Sequence, residues 1–179
     1  MRSLVATVTL FLLVVTVGPV WAQEGHENGH EHRHEVAFFA GATYEADQEK
    51  NFATLGGEYE FKIHPRLGIG AGLEYVADID AALLVFPFTF HLGGGFMIVA
   101  APGLEIEPRH ESDSHGVRSS SENETGGDET DFLARLGAQY KVGIGGRYAI
   151  VPHIAIDFVD RGDRMSRAWV YGAKFAIGF

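Results

Sequence analysis

The C-terminal stretch from residue 167 onwards alternates between two unlike sets of side chains. Counting back from the end in steps of two gives an apolar and aromatic set: Phe179, Ile177, Phe175, Ala173, Tyr171 and Trp169. The residues between them are small or polar. A period of two is that of a β-strand, whose successive side chains point to opposite faces. A soluble protein seldom ends in a strand with an exposed bulky aromatic, because such an edge invites pairing with another chain. This ending therefore favours a closed barrel in lipid.

Seven upstream segments show the same alternation. They run over residues 35–45, 52–63, 67–77, 82–92, 96–106, 132–142 and 148–158. One face of each segment is mainly apolar and rich in Phe, Tyr, Ile and Leu, whereas the other face carries glycine, alanine and scattered charges. Apolar side chains outside and polar side chains inside are the arrangement of a barrel in a membrane. We predict an all-β fold, an eight-stranded antiparallel up-and-down transmembrane β-barrel.

Three prolines fall inside these predicted strands: Pro87, Pro102 and Pro152. Proline has no N–H to donate to a neighbouring strand. We therefore expect each of them at a bulge or an irregular pair.

The links between the segments alternate in length. Short links lie at residues 64–66, 93–95 and 143–147, and the other links lie at 46–51, 78–81, 107–131 and 159–166. Outer-membrane barrels have short turns in the periplasm and longer loops outside. This asymmetry predicts that both termini are periplasmic.

The aromatic terminus, the strand count and the loop asymmetry together resemble the small eight-stranded outer-membrane barrels of the OmpA membrane-domain and OmpX type. The resemblance covers residues 35–179 and includes no catalytic motif. It implies a place in the cell outer membrane, among outer-membrane lipids and lipopolysaccharide. It also implies that the barrel assembly machinery reads the last strand, which ends in Phe179. We expect a monomer.

Residues 1–22 have the pattern of a secretory signal peptide. Arg2 gives a positive start, residues 4–17 are almost wholly apolar, and Gly18 and Pro19 precede small residues that end at Ala22. The apolar core is short for a spanning helix, which needs ~20 residues. An uncleaved anchor is therefore the less favoured alternative.

Residues 23–34 form a predicted disordered periplasmic tail that is rich in histidine. The tail carries His26, His30, His32 and His34 among acidic residues and has no apolar side chain to bury. Such a segment cannot fold by itself. Imidazoles with interleaved carboxylates are ligands for zinc, copper or nickel. Metal capture by these four histidines and a solvated tail without ligand both stay open, and neither interpretation requires a cofactor for the fold.

Charge and cysteine content exclude some classes of function. The formal net charge of −10 disfavours nucleic acid as a partner. The chain has no cysteine, so the barrel must close without disulfides. The acidic link 107–131 favours a solvated outer loop that meets ions or a partner. No strand carries a Ser–His–acid set that would hold a nucleophile against its base, so we predict no enzyme activity.

The inward face is predicted to carry charges of both signs. Its ionisable members are Glu58, Glu60, Glu74, Glu105, Asp157, Lys62, Arg135, Lys141 and Lys174, with His91 and His153. Eight strands leave an interior just wide enough for side chains. Because buried unpaired charges are costly, we expect ion pairs that plug the lumen. A proton or ion path is the alternative.

Two functional classes follow from the sequence. One is a non-enzymatic barrel with a structural or surface-interaction role, a plugged lumen and no open pore. The other is a metal-binding accessory that uses the histidine tail. A secreted lipocalin-like carrier is a third interpretation, and it would require the apolar face to point inward.

Overall fold

The structure, a computed structural model, describes residues 32–77, 79–107, 129–162 and 164–179, and residues 32–179 form one compact unit. The predicted signal peptide, most of the predicted tail and most of the acidic link 107–131 lie outside the described residues. The strands are β1 (His34–Glu45), β2 (Lys50–His64), β3 (Leu67–Val76), β4 (Ala81–Val85), β5 (Phe88–Gly93), β6 (Phe96–Glu107), β7 (Glu129–Tyr140), β8 (Val142–Gly145), β9 (Tyr148–Asp160) and β10 (Met165–Gly178). Within the described ranges, no helix is long and apolar enough to cross a membrane.

The strands form one closed antiparallel sheet. β4 and β5 both pair with β3 on one side and β6 on the other, so they are two halves of one barrel strand. β8 continues the line of β7 along β9. β10 then pairs with β1 from Glu35 opposite Gly178 to Glu45 opposite Ala168. The predicted eight-stranded up-and-down barrel is confirmed.

The three prolines lie where the ladder is interrupted, which confirms their predicted positions. Pro87 separates β4 from β5. Pro102 lies opposite this break, where its carbonyl accepts a hydrogen bond of 2.9 Å from the Phe86 N–H. Pro152 lies in the gap between the pairing of β9 with β7 and its pairing with β8. At each break the sheet keeps its register, so it tolerates the missing donors without a change of face.

The two ends of the barrel differ in their connections. We call one end of the barrel the terminal rim, because β1 starts there and β10 ends there. The turns at this rim are formed by residues 65–66, 94–95 and 146–147. Gly94 and Gly95 have φ values of 58° and 86°, which suit a tight two-residue hairpin turn. At the other end, the loop rim, β1 is followed by β2, β3 by β4, β6 by β7 and β9 by β10. The links at the loop rim are longer, as predicted, but the strands extend further into three of them because polar residues such as Lys50 and Ser166 also pair in the ladder.

Large apolar side chains point away from the barrel. We call this outward set the apolar belt, and it includes Phe38, Leu55, Leu73, Phe86, Phe90, Phe132, Leu136, Ile154 and Phe175. Each of these side chains is exposed, whereas their neighbours one residue along the strand, such as Ala155 and Ala176, are buried. Two outward tyrosines form hydrogen bonds towards the rims, since Tyr171 donates a hydrogen bond of 2.8 Å to Asn51 and Tyr59 bonds to His34. A lipocalin-like carrier has the opposite arrangement, so that interpretation is wrong.

Depth in the membrane sets the cost of a charge on the apolar belt. Ile154 lies midway along β9, whereas Met165 begins β10 at the loop rim, and both side chains face outward. We predict that Ile154→Arg lowers the free energy of unfolding in lipid vesicles by about 2–4 kcal/mol, and that Met165→Arg lowers it by about 1 kcal/mol or less. Urea unfolding followed by tryptophan fluorescence measures both values. Equal losses at the two positions would contradict the assignment of the belt.

Candidate functional site

The candidate site is the barrel lumen, whose half near the loop rim is filled by apolar side chains. We call this group the apolar layer: Phe52, Val76, Ala81, Leu83, Val85, Val99, Ala101, Leu133 and Val159. Leu133 has no exposed surface and Val85 is 1% exposed. The layer forms because these residues alternate with the apolar belt along strands that face one another across a narrow barrel.

A charged cluster lies directly next to the apolar layer. Arg135 on β7 reaches Asp157 on β9 through Nε and Nη2, with N–O distances of 2.7 and 2.8 Å. It also reaches Glu74 on β3, with distances of 2.5 Å from Nη1 and 2.8 Å from Nη2. All three side chains are buried. Because the guanidinium makes two bonds to each carboxylate, it ties together strands on opposite sides of the lumen.

A second ion pair and a neutral pair lie further along the lumen. Lys174 on β10 donates a hydrogen bond of 2.7 Å to Glu58 on β2. His153 on β9 is buried, and its Nδ1 lies 2.8 Å from the amide nitrogen of Gln139. The ring of Phe39 packs edge-on against His153, with 5.6 Å between the centroids. Each of these four polar side chains therefore has a partner.

Two further side-chain pairs lie towards the terminal rim. Glu60 Oε1 on β2 is 2.9 Å from His91 Nε2 on β5. Lys141 forms an ion pair with Glu35 at the start of β1. These side chains are more exposed than the Arg135 cluster, so water reaches this part of the lumen.

A cluster at the loop rim is centred on Arg161. Its guanidinium lies 2.8 Å from Glu107, 3.2 Å from Glu105 and 3.7 Å from Asp131. The hydrogen bond to Glu107 and the surrounding carboxylates raise the pKa of Arg161 above its ordinary value. The guanidinium thus links the loop between β9 and β10 to the ends of β6 and β7.

The inward charges predicted from the sequence do lie inside, but several partners come from outside that set. Arg135 and Lys174 pair with predicted acids across the lumen, as expected. Lys141 and Glu105 instead pair with Glu35 and Arg161, which the prediction left out. The sequence did contain a signal for Glu35 and Arg161. If the alternation of β1 and β9 is continued along the chain beyond the predicted set, both residues fall on the inward face.

The four histidines of the predicted metal site are not gathered in the described structure. His26 and His30 lie outside the described residues. His32 is exposed, whereas His34 is the first residue of β1 and bonds through Nδ1 to Tyr59 at 2.6 Å. The described residues contain no group of three or more His, Cys, Asp or Glu side chains arranged to hold a metal ion. Metal capture by the tail therefore stays a prediction.

The Arg135 cluster makes a prediction about stability. Replacing only the guanidinium, as in Arg135→Leu, leaves two buried carboxylates without a partner and should lower the free energy of unfolding by about 3–5 kcal/mol. The triple variant Arg135→Leu, Glu74→Gln, Asp157→Asn removes all three charges and should recover most of that loss. Urea unfolding in detergent micelles measures both variants. A single variant as stable as the unsubstituted protein would contradict the cluster.

Comparisons with known proteins agree on the fold. No protein-family model and no curated protein matches the chain. Among solved structures, it is similar to the N-terminal β-barrel domain of Pseudomonas aeruginosa OprF, with a TM-score of 0.55 and 13% identity over 80% of this chain and 97% of that one. It is also similar to Neisserial surface protein A, with a TM-score of 0.51 and 7% identity over 82% of this chain and 96% of that one. The outer membrane enzyme PagL matches with a TM-score of 0.42 and 16% identity, over 81% of this chain and 99% of that one.

At such low sequence identity, the structural similarity supports a conclusion about the fold alone. That fold agrees with the closed sheet, the apolar belt and the charged lumen. The chain has the fold of the small eight-stranded β-barrels of bacterial outer membranes, and its apolar belt fits that membrane.

Proposed function

We propose that the protein is a non-enzymatic outer-membrane barrel with a structural or surface-interaction role, and that its own side chains close the lumen. The observation that carries this proposal is the stacking of the apolar layer on the Arg135 cluster. Leu133 and Arg135 are inward neighbours on β7, so one strand contributes to both. An ion would have to pass both in succession.

The energetics of the lumen oppose conduction. Moving an ion past the apolar layer would strip its water without offering a polar partner. Past the layer, Arg135 is held by four hydrogen bonds to Glu74 and Asp157. Opening a path there would leave buried charges unpaired, which is strongly unfavourable. These two costs favour a plug over an ion path.

The outer surfaces and the loop rim are then the parts that meet other molecules. The apolar belt suits the hydrocarbon of the membrane, and the rims suit lipid head groups and lipopolysaccharide. The last strand keeps the pattern that the barrel assembly machinery reads, with Phe179 exposed at the end of β10. Acidic residues predominate at the loop rim, where Glu45, Glu107 and Asp131 surround Arg161. A partner at this rim would therefore be one that tolerates or prefers negative charge.

The side-chain hydrogen bonds of the described histidines bear on catalysis of the serine-hydrolase type. Four histidines make side-chain hydrogen bonds, and their partners are Tyr59, Glu60, Gln139 and the backbone N–H of Arg66. In the part of the chain that the structure describes, no histidine bonds to a serine or threonine hydroxyl. A hydrolase of the serine type needs such a pair to activate its nucleophile.

Electrical recording in planar lipid bilayers tests the closed lumen. We expect no steady conductance from the unsubstituted protein. The variant Leu133→Ala, Arg135→Ala, Glu74→Ala, Asp157→Ala thins both parts of the plug and should conduct. A matched control replaces, for each of these four residues, the adjacent residue that points outward: Phe132→Ala, Leu136→Ala, Leu73→Ala and Phe158→Ala.

The control should stay silent, because its substitutions leave the lumen unchanged. Heat-modified mobility on gels verifies that each variant is folded before recording. Steady conductance from the unsubstituted protein would overturn the proposed plug.

A further inference from the structure

We propose that Glu60, His91 and Thr89 form a binding site for one divalent transition-metal ion, such as Zn²⁺, inside the barrel near the terminal rim. The site is separate from the histidine tail and uses none of its residues. It also goes beyond the structural role proposed above, because a closed barrel needs no metal.

The first observation is the way in which Glu60 and His91 meet. They lie on β2 and β5, which are separated by β3 in the sheet. The Glu60 carboxylate crosses β3 over Gly68, where an added Cβ would lie 2.4 Å from Oε1. A side chain at position 68 would displace the Glu60 carboxylate from this place. Glycine at this position thus creates a cradle in which Oε1 comes within 2.9 Å of His91 Nε2.

The second observation is an unsatisfied hydroxyl at the same place. Thr89 pairs with Gly68 in the sheet and is 1% exposed. Its Oγ1 lies near the Glu60 carboxyl, but among the described groups it finds no hydrogen-bond partner of normal geometry. A buried hydroxyl without a partner is costly. A ligand between Thr89, Glu60 and His91 would satisfy it.

The donor set selects the class of ion. The imidazole nitrogen of His91 suits zinc, copper or nickel, whereas calcium and magnesium take oxygen ligands alone. Ligand bonds of about 2.0–2.2 Å in a tetrahedral site place nitrogen and oxygen roughly 3.3 Å apart. The existing separation of 2.9 Å is close to that value. The metal would replace the proton that now joins Nε2 and Oε1, and water would complete the coordination.

The charge of Lys62 affects the affinity of the site for a cation, and the exposure of His91 determines how an ion reaches it. Lys62, the next inward residue on β2, acts electrostatically on Glu60 and would repel a cation. The side chain of His91 is 17% exposed, and His91 lies two residues from the end of β5 at the terminal rim. An ion can therefore enter from that rim without crossing the Arg135 cluster.

Urea unfolding of the full chain in detergent micelles, with and without Zn²⁺, tests the site. An ion that binds only the folded barrel raises the unfolding midpoint, and at 100 times Kd it increases the ratio of folded to unfolded protein about a hundred-fold. Zinc held by the tail alone leaves the midpoint unchanged, because that binding needs no barrel. We expect Zn²⁺ to raise the midpoint and Ca²⁺ to leave it unchanged.

Variants assign the effect to named residues. Glu60→Gln and His91→Gln should abolish the rise, and Lys62→Gln should enlarge it. His64→Gln is the matched control, because His64 is an exposed histidine at the same rim, and it should keep the full rise. The proposal would be overturned if Zn²⁺ did not change the unfolding midpoint. It would also be overturned if Zn²⁺ still raised the midpoint of the Glu60→Gln and His91→Gln variants.

A second measurement on the unsubstituted chain needs no variant to fold. In NMR spectra recorded during a zinc titration, the backbone amides of Gly68, Thr89 and His91 should shift together. Shifts confined to residues before β1 would also overturn the proposal.

Discussion

The pairing of β10 with β1 is the interaction on which the rest of the structure depends. In lipid, every backbone donor and acceptor must find a partner within the protein, so a sheet can span a membrane only if it closes. Here closure extends to the end of the chain, where the N–H of Phe179 donates to the His34 carbonyl at 2.9 Å and the N–H of His34 donates to the Phe179 carbonyl at 3.2 Å. The His34 and Phe179 rings stack on the same seam, with 5.6 Å between their centroids. His34, the last residue of the predicted tail, is thus a structural part of the barrel wall.

Closure then decides what the two faces can hold. Once the sheet is a cylinder, the apolar belt must meet lipid and the other face must fill a narrow lumen. The lumen contains ion pairs between strands that are distant in sequence, such as Arg135 with Glu74 and Lys174 with Glu58. A buried ion pair adds little net stability, but a shifted register would leave its charges unpaired. We infer that these pairs specify the register more than they stabilise the barrel.

The alternation of side chains was enough to predict the strands, their faces and the positions of the three prolines. It could not give the strand ends, because polar residues such as Lys50 and Ser166 pair in the ladder beyond the last apolar residue. His34 was assigned to the tail by its composition, yet β1 begins there because its ring is covered by Tyr59, Phe61 and Phe179. Alternation gives the face of a residue and not its height in the barrel. The partners of Lys141 and Glu105, and the meeting of Glu60 with His91 across Gly68, therefore required the structure.

Fluorescence quenching from within the membrane tests the central claim most directly, namely that the apolar face meets lipid and the charged face is enclosed. The chain has no cysteine, so single substitutions such as Phe175→Cys, Ile154→Cys, Ala176→Cys and Val151→Cys each carry one fluorescent label. In vesicles of lipids with brominated acyl chains, labels at residues 175 and 154 should be quenched, and labels at residues 176 and 151 should not. Quenching at residues 176 and 151 instead, or equal quenching at all four positions, would contradict the account.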